Sequence, residues 1–133
     1  MDYVIEFTES GPFEVVVTTS GKASGAEIEA GRRAVLADPR FRHGMSILLD
    51  HSLLDNTGAG AHEVRAVASS LDRDRAASGL AYIAIVAPDA LTYGLGRMWE
   101  SLASEDVESA VTVVRTREEA YTWIESRRAA RPS

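Results

Sequence analysis

Acidic, imidazole and hydroxyl side chains follow one another directly after a short apolar run near the middle of the chain. Met45–Leu49 is the apolar run, and it is followed by Asp50, His51, Ser52 and Asp55. One histidine with two carboxylates could form a facial metal site or carry acid–base catalysis. Adjacent side chains of an extended segment point in opposite directions, so the neighbouring histidine and serine are not a catalytic pair by spacing alone. The segment can therefore be an enzyme site, a phosphorylatable switch or a polar turn that leads into a helix.

Two other arrangements fall short of the motifs that they approach. His62-Glu63 begins like a zinc-binding H-E-x-x-H helix, but Ala66 stands where the second histidine is required. Gly94-Leu95-Gly96 follows an apolar run as a dinucleotide-binding loop does, but Trp99 replaces the third glycine. The chain has no cysteine, which excludes a thiolate metal site and a cysteine nucleophile. We therefore expect no metal, no cofactor and no enzymatic activity.

Composition narrows the classes of partner. The chain of 133 residues is 45% hydrophobic, which is typical of one globular domain. Its formal net charge of −6 repels phosphate groups, so nucleic acid is not an expected partner. The first residues lack the basic and apolar regions of a signal peptide. The longest apolar run, Leu80–Pro88, is far shorter than the ~20 residues of a membrane-spanning helix. We expect no transmembrane segment and a cytoplasmic location.

Hydrophobic periodicity predicts a domain of alternating strands and helices. Apolar residues at every second position are typical of strands, and apolar residues three or four positions apart are typical of helices. The predicted elements are strands Tyr3–Phe7 and Phe13–Thr19, helix Ser24–Ala37, strand Met45–Leu49, helix Gly60–Ala77, strand Leu80–Ala87, helix Asp89–Ser104, strand Ala110–Arg115 and helix Thr116–Arg128.

The order β-β-α-β-α-β-α-β-α predicts an α/β fold with a mixed, mostly parallel five-stranded sheet. Strands separated by helices pair in parallel through right-handed crossovers, whereas the first two strands should form an antiparallel hairpin. Ser24 is a candidate N-cap of the first helix, and Thr116 opens a T-x-x-E capping box at the last one. We expect residues 1–128 to form a single domain and residues 129–133 a flexible C-terminal tail.

The helix after the long apolar strand contains a second group of candidate residues. Tyr93 lies in its first turn, at the carboxyl edge of the sheet where open α/β folds bind ligands. Gly94 is followed by a second glycine, and each lowers helix stability by roughly 1 kcal/mol relative to alanine. Arg97 points away from the apolar stripe of this helix. Tyr93, Gly94 and Arg97 are therefore possible ligand-proximal residues, while close packing of the helix is the alternative explanation for the glycines.

Three stretches, together with the order of elements, resemble one family. They are Ile47–Asp50 (ILLD), Tyr93–Glu100 (YGLGRMWE) and Glu119–Ile124 (EAYTWI). The chain resembles the STAS-like domains, which have the SpoIIAA-like fold of bacterial anti-sigma-factor antagonists. It is especially similar to uncharacterised bacterial single-domain proteins of the STAS/SEC14 type. The resemblance implies a mixed sheet with helices packed mainly on one face, and a role without catalysis.

The same resemblance draws attention to a turn that follows the central strand. In the antagonist branch, a serine or threonine in a D-S-[ST]-G-like turn is phosphorylated by a partner kinase. Asp55-Asn56-Thr57-Gly58 resembles that turn and puts Thr57 at the acceptor position, although Asn56 stands where that branch has serine. The alternative is an ordinary turn that caps the next helix. The resemblance implies an interaction loop within residues 50–60, with the candidate contacts Asp50, His51, Ser52, Asp55, Asn56 and Gly58.

The leading hypothesis from sequence is a regulatory or protein-interaction module without enzymatic activity, whose protein partner is unidentified. The alternative is a domain that binds a small apolar ligand or a lipid, as the SEC14 relation suggests, near Tyr93 and Gly94. A third hypothesis is a hydrolase or a metal-dependent enzyme that uses Asp50, His51 and Asp55. The sequence leaves a homodimer open, because an exposed edge strand can pair with a second copy.

Overall fold

The computed structural model describes residues 1–22, 24–42, 44–55, 82–87, 93, 94, 97 and 111–130. Five strands and two helices have complete bounds within these residues. They are β1 (Asp2–Phe7), β2 (Val15–Lys22), α1 (Gly25–Ala37), β3 (Ile47–Asp55), β4 (Ile83–Val86), β5 (Val111–Val114) and α2 (Arg117–Ala130). Among the described residues, no helix is long and apolar enough to cross a membrane.

The five strands form one mixed sheet in the order β1-β2-β3-β4-β5. β1 pairs with β2 in the antiparallel direction, and each later pair is parallel. The predicted hairpin and the predicted mixed, mostly parallel five-stranded sheet are thus confirmed. The carboxyl ends of β2 to β5 consequently lie at one edge of the sheet, and their amino ends lie at the other.

Side chains alternate along each strand and so divide the core between the two faces of the sheet. On one face, Ile47 and Leu49 of β3 belong to the same apolar cluster as Val35 of α1. On the other face, Leu48 shares a cluster with Ile124 of α2. The two described helices therefore cover opposite faces. The expectation that helices pack mainly on one face depends on two predicted helices that lie almost wholly outside the described residues.

Both described helices begin at the caps that the sequence predicts. The Ser24 hydroxyl accepts a bond from the Glu27 N–H at 3.3 Å, and the Ser24 N–H donates to Glu27 Oε1 at 3.2 Å. At α2, the Glu119 N–H donates to Thr116 Oγ1 at 3.2 Å. The Arg115 N–H donates to Glu119 Oε2 at 3.3 Å and completes the exchange one residue before the cap. Such caps stabilise a helix by about 1 kcal/mol each. The cap at Thr116 also fixes the first turn of α2 at the edge of the sheet.

Two strands are longer than predicted. The sequence pattern ended the central strand at Leu49 and placed a turn after Thr19, but β3 continues to Asp55 and β2 to Lys22. The prediction of a loop from residue 50 onward is therefore wrong for residues 50–55. A bulge between Thr18 and Ser20 shifts the register by one residue, after which β2 pairs with β3 as far as Lys22 and Asp55. Polar side chains interrupt the apolar alternation there, and tertiary hydrogen bonds make their burial possible.

Candidate functional site

Asp50 is a buried carboxylate near the carboxyl end of the parallel strands, with only 7% of its surface exposed. Its Oδ2 accepts a bond from Nε of Arg117, in the first turn of α2, at 2.7 Å. Its Oδ1 accepts from the main-chain N–H of Ser52 at 2.9 Å and also from the Ser52 hydroxyl. Three donors therefore occupy the two oxygens, and the carboxylate joins β3 to α2.

The electrostatics of this pair favour two charged groups. Burial opposes ionisation of Asp50, but the hydrogen bonds from Ser52 and the guanidinium of Arg117 outweigh it and lower the carboxyl pKa. The bond to Asp50 raises the pKa of Arg117 against the effect of its partial burial, with a smaller contribution from Tyr121. A general base acts best when its pKa lies near the working pH. Asp50 is therefore a poor general base, and its ion pair with Arg117 holds α2 against β3.

His51 is buried on the opposite side of β3, because neighbouring side chains alternate along a strand. Its Nδ1 lies 2.6 Å from Thr19 Oγ1, and that hydroxyl donates to the main-chain oxygen of Asp50 at 3.2 Å. Since the hydroxyl has one proton, Nδ1 is assigned as the donor to Thr19. Burial lowers the pKa of His51 to about 4, although the negative charge of Asp50 acts in the other direction. The imidazole is consequently neutral at ordinary pH and bonded within the sheet.

The residues proposed for catalysis or metal binding do not converge. Asp50 faces α2, His51 faces the other side of the sheet, and Asp55 is exposed at the end of β3. The described ranges contain no group of three histidine, aspartate or glutamate side chains that could hold a metal ion. Asp50 and His51 thus provide hydrogen bonds that join β3 to α2 and to β2.

The last residues of β3 and β2 form a projecting ladder. β4 pairs with β3 only as far as Asp50, so among the described strands Ser52–Asp55 pairs with β2 alone, along Ser20–Lys22. We call these two segments the β2–β3 extension. Within the β2–β3 extension, Leu54 is buried, whereas 67% of Leu53 is exposed to solvent. The extension therefore presents an exposed leucine on a hydrogen-bonded strand, between exposed polar residues.

The second group of sequence candidates has a different setting. Tyr93 is half-buried against the core, and the guanidinium carbon of Arg115 lies 5.3 Å from its ring centroid. Gly94 and Arg97 are exposed. Among the described residues outside its own helical segment, a β-carbon added to Gly94 would meet no atom within 4 Å, so close packing against them does not explain this glycine. Arg115 therefore covers part of the ring that was predicted to adjoin a ligand.

The proposed phospho-acceptor lies outside the residues that the structure describes. Thr57 and its neighbours Asn56 and Gly58 all fall within residues 56–81, which separate β3 from the start of β4. Phosphorylation of Thr57 therefore stays a prediction.

Sequence reasoning missed two residues that give this region its order, Arg117 and Thr19. A positive side chain in the first turn of a helix is unfavourable with respect to the helix dipole. The position of Arg117 just after the predicted cap was thus a signal that an acidic partner holds it. Thr19 offered no comparable signal, because threonine is common in exposed and buried strands alike.

Comparison with solved structures shows the fold. The structure is similar to that of an uncharacterised protein of the DUF3478 family from Shewanella loihica PV-4, which has a SpoIIAA-like fold. The two share 15% sequence identity over 92% of each chain, with a TM-score of 0.54. No protein-family model matches the sequence, and no curated protein sequence matches it significantly. The chain thus has a SpoIIAA-like fold, as its sequence motifs indicated.

Proposed function

We propose that the protein is a non-catalytic regulatory module that binds another protein through the β2–β3 extension. The main support is that Asp50 and His51, the side chains best suited to acid–base chemistry, are both engaged in hydrogen bonds within the fold. Each is buried, each is bonded to a neighbouring element, and they face opposite sides of β3. Neither is left free to attack or deprotonate a substrate. The structurally similar protein from Shewanella loihica is described only as uncharacterised, and the SpoIIAA-like fold is compatible with such a role.

The shape of the extension supports its use as a contact surface. Leu53 is the exposed apolar centre, and Asp55 with its strand partner Lys22 provides polar groups next to it on the same face. Protein interfaces commonly have an apolar centre within a polar rim. Because strand pairing already orders the main chain of Leu53, less conformational entropy is lost on binding than for a leucine on a flexible loop.

Regulation at Thr57 would act close to this surface. Thr57 follows the last residue of β3 by two positions. A phosphate there would add about −1.5 to −2 charges beside the contact surface, which could release an acidic partner without unfolding the domain. The basis for this step is the resemblance of the turn at residues 55–58 to that of the antagonist branch.

Site-specific photocrosslinking tests the proposed surface. A photoreactive amino acid replaces Leu53 in one variant and Val4 in another, and each is exposed to a lysate of the cells that produce the protein. Val4 is a matched control because it is an exposed apolar strand residue on β1. We expect a discrete protein adduct from position 53 alone, which competition with the wild type removes and competition with Leu53→Asp does not. Equal adducts from both positions, or none from position 53, would refute the proposal.

A further inference from the structure

A groove of about 880 Å³ lies at the opposite edge of the sheet from Leu53. It opens between the turn that follows β1 and the connection from α1 to β3. Its volume falls within the range of roughly 300–1,000 Å³ that is usual for small-molecule sites. The candidates Asp50, His51, Ser52, Asp55, Tyr93, Gly94 and Arg97, which the structure describes, are not among its described lining residues.

The floor of the groove is apolar and rigid. Phe7 and Met45 line it, and both are half-buried against the main core cluster. The guanidinium carbon of Arg40 lies 4.4 Å from the Phe7 ring centroid. Asp38 fixes that guanidinium through bonds of 3.0 and 2.9 Å. Arg40 therefore lines the groove, and Asp38 already compensates its positive charge.

Two carboxylates line the groove, and one of them is also compensated. Glu14 accepts bonds from the Ser46 N–H at 3.2 Å and from Arg128 at 3.3 Å. Arg42 and Glu9, by contrast, are exposed lining residues that make no ion pair within the described part of the chain. Within its described lining, the groove thus offers one uncompensated cation and one uncompensated anion beside an apolar floor.

We infer that this groove binds a small zwitterion, an amino acid with an apolar side chain. Arg42 receives its carboxylate, because a guanidinium matches a carboxylate with two parallel hydrogen bonds. Glu9 receives its ammonium group, and the side chain packs on Phe7 and Met45.

Three ligands that share one ring separate the contributions of the two charges. L-phenylalanine has both charges, 3-phenylpropionate lacks the ammonium group, and phenethylamine lacks the carboxylate. In ¹H–¹⁵N correlation spectra at millimolar ligand, we expect saturable shifts of the amides of Thr8, Glu9 and Gly44, with Lys22 unmoved. Phenylalanine should bind about threefold to fivefold more tightly than either analogue, which is the upper range for one charged contact at an exposed side chain. Equal binding of all three, no shift, or shifts confined to the β2–β3 extension would overturn the inference.

Single substitutions at exposed positions provide the second arm of the test. Arg42→Gln should weaken phenylalanine binding about threefold to fivefold and should not weaken phenethylamine binding. Glu9→Gln should abolish the preference for phenylalanine over 3-phenylpropionate. Lys22→Gln removes the same charge as Arg42→Gln at the far edge of the sheet and should change neither affinity. Unchanged phenylalanine binding in Arg42→Gln would disprove the assignment, whatever the other variants do.

Discussion

Arg117 and Asp50 form an ion pair of 2.7 Å although they lie 67 positions apart in the chain. The pair joins the first turn of α2 to the last residue of β3 that still pairs with β4. Ser52 completes it by binding the other oxygen of the same carboxylate. One buried aspartate therefore sets the relative position of the last helix, the central strand and the start of the β2–β3 extension.

Replacement of Asp50 by asparagine should lower the free energy of unfolding by about 1 to 3 kcal/mol, because the change leaves a partly buried guanidinium without its charged partner. Urea denaturation measures this as a lower midpoint at constant slope. Asp2→Asn is the matched control, since it makes the same chemical change at an exposed strand position and should stay within about 0.5 kcal/mol of the wild type. A double-mutant cycle with Arg117→Gln should show positive coupling; additive effects would contradict a direct pair.

Stability should fall as the pH is lowered from neutrality toward 4, and His51 is the main cause. Its folded pKa of about 4 is below the value of about 6.5 in an unfolded chain. Between these values the unfolded chain binds the additional proton, so stability rises with pH and is lost as pH falls. The lowered pKa of Asp50 acts in the same direction below about pH 4. We expect His51 alone to account for about 3 kcal/mol between pH 7 and pH 4.

His51→Gln isolates this contribution, because the readout is the slope of stability against pH and not its absolute value. The variant should lose most of the slope between pH 6.5 and pH 4 whatever its stability at pH 7. Chemical denaturation at several pH values provides the comparison. An unchanged slope would mean that His51 is not buried in its neutral form.

Leu53 and Leu54 should respond in opposite ways to truncation, since β3 exposes the first and buries the second. Leu54→Ala should destabilise the domain by about 2 to 4 kcal/mol, whereas Leu53→Ala should change stability by less than about 0.5 kcal/mol. Thermal or urea unfolding of the two neighbouring variants is the measurement, and each serves as the control for the other. Similar losses at both positions would show that residues 53 and 54 do not alternate as in a strand.

Thr116→Ala should lower stability by about 1 kcal/mol, because the hydroxyl that accepts the Glu119 N–H is removed. It should also reduce the coupling between Asp50 and Arg117, whose position depends on that first helical turn. Ser126→Ala, an exposed position later in α2, is the control and should be nearly neutral. If Thr116→Ala lost about 1 kcal/mol while the coupling between Asp50 and Arg117 stayed intact, the cap would stabilise the helix without orienting Arg117.

The parts of the fold that depend on neighbouring residues could be predicted from sequence. The caps at Ser24 and Thr116 are short-range patterns, and the hairpin follows from alternation on either side of a Gly-Pro turn. The carboxyl end of β3 could not be placed, because Asp50 and His51 interrupt the apolar pattern and are buried only through partners elsewhere in the chain. The sequence draws attention to Asp50 and His51, but the hydrogen bonds of these two side chains depend on Arg117 and Thr19, which no local spacing connects to them.

The strand order has a consequence for how the chain assembles. Because each strand pairs with its neighbour in sequence, no strand needs a later, distant segment before it can join the sheet. Paired residues of the parallel strands lie 28 to 36 positions apart, fewer than the 67 positions between Asp50 and Arg117, and the order lets the sheet grow in step with synthesis from the amino terminus. The bond between Arg117 and Asp50 is the exception, since it forms only after α2 exists. β3 thus joins the sheet early, and its residue Asp50 pairs with Arg117 only at the end.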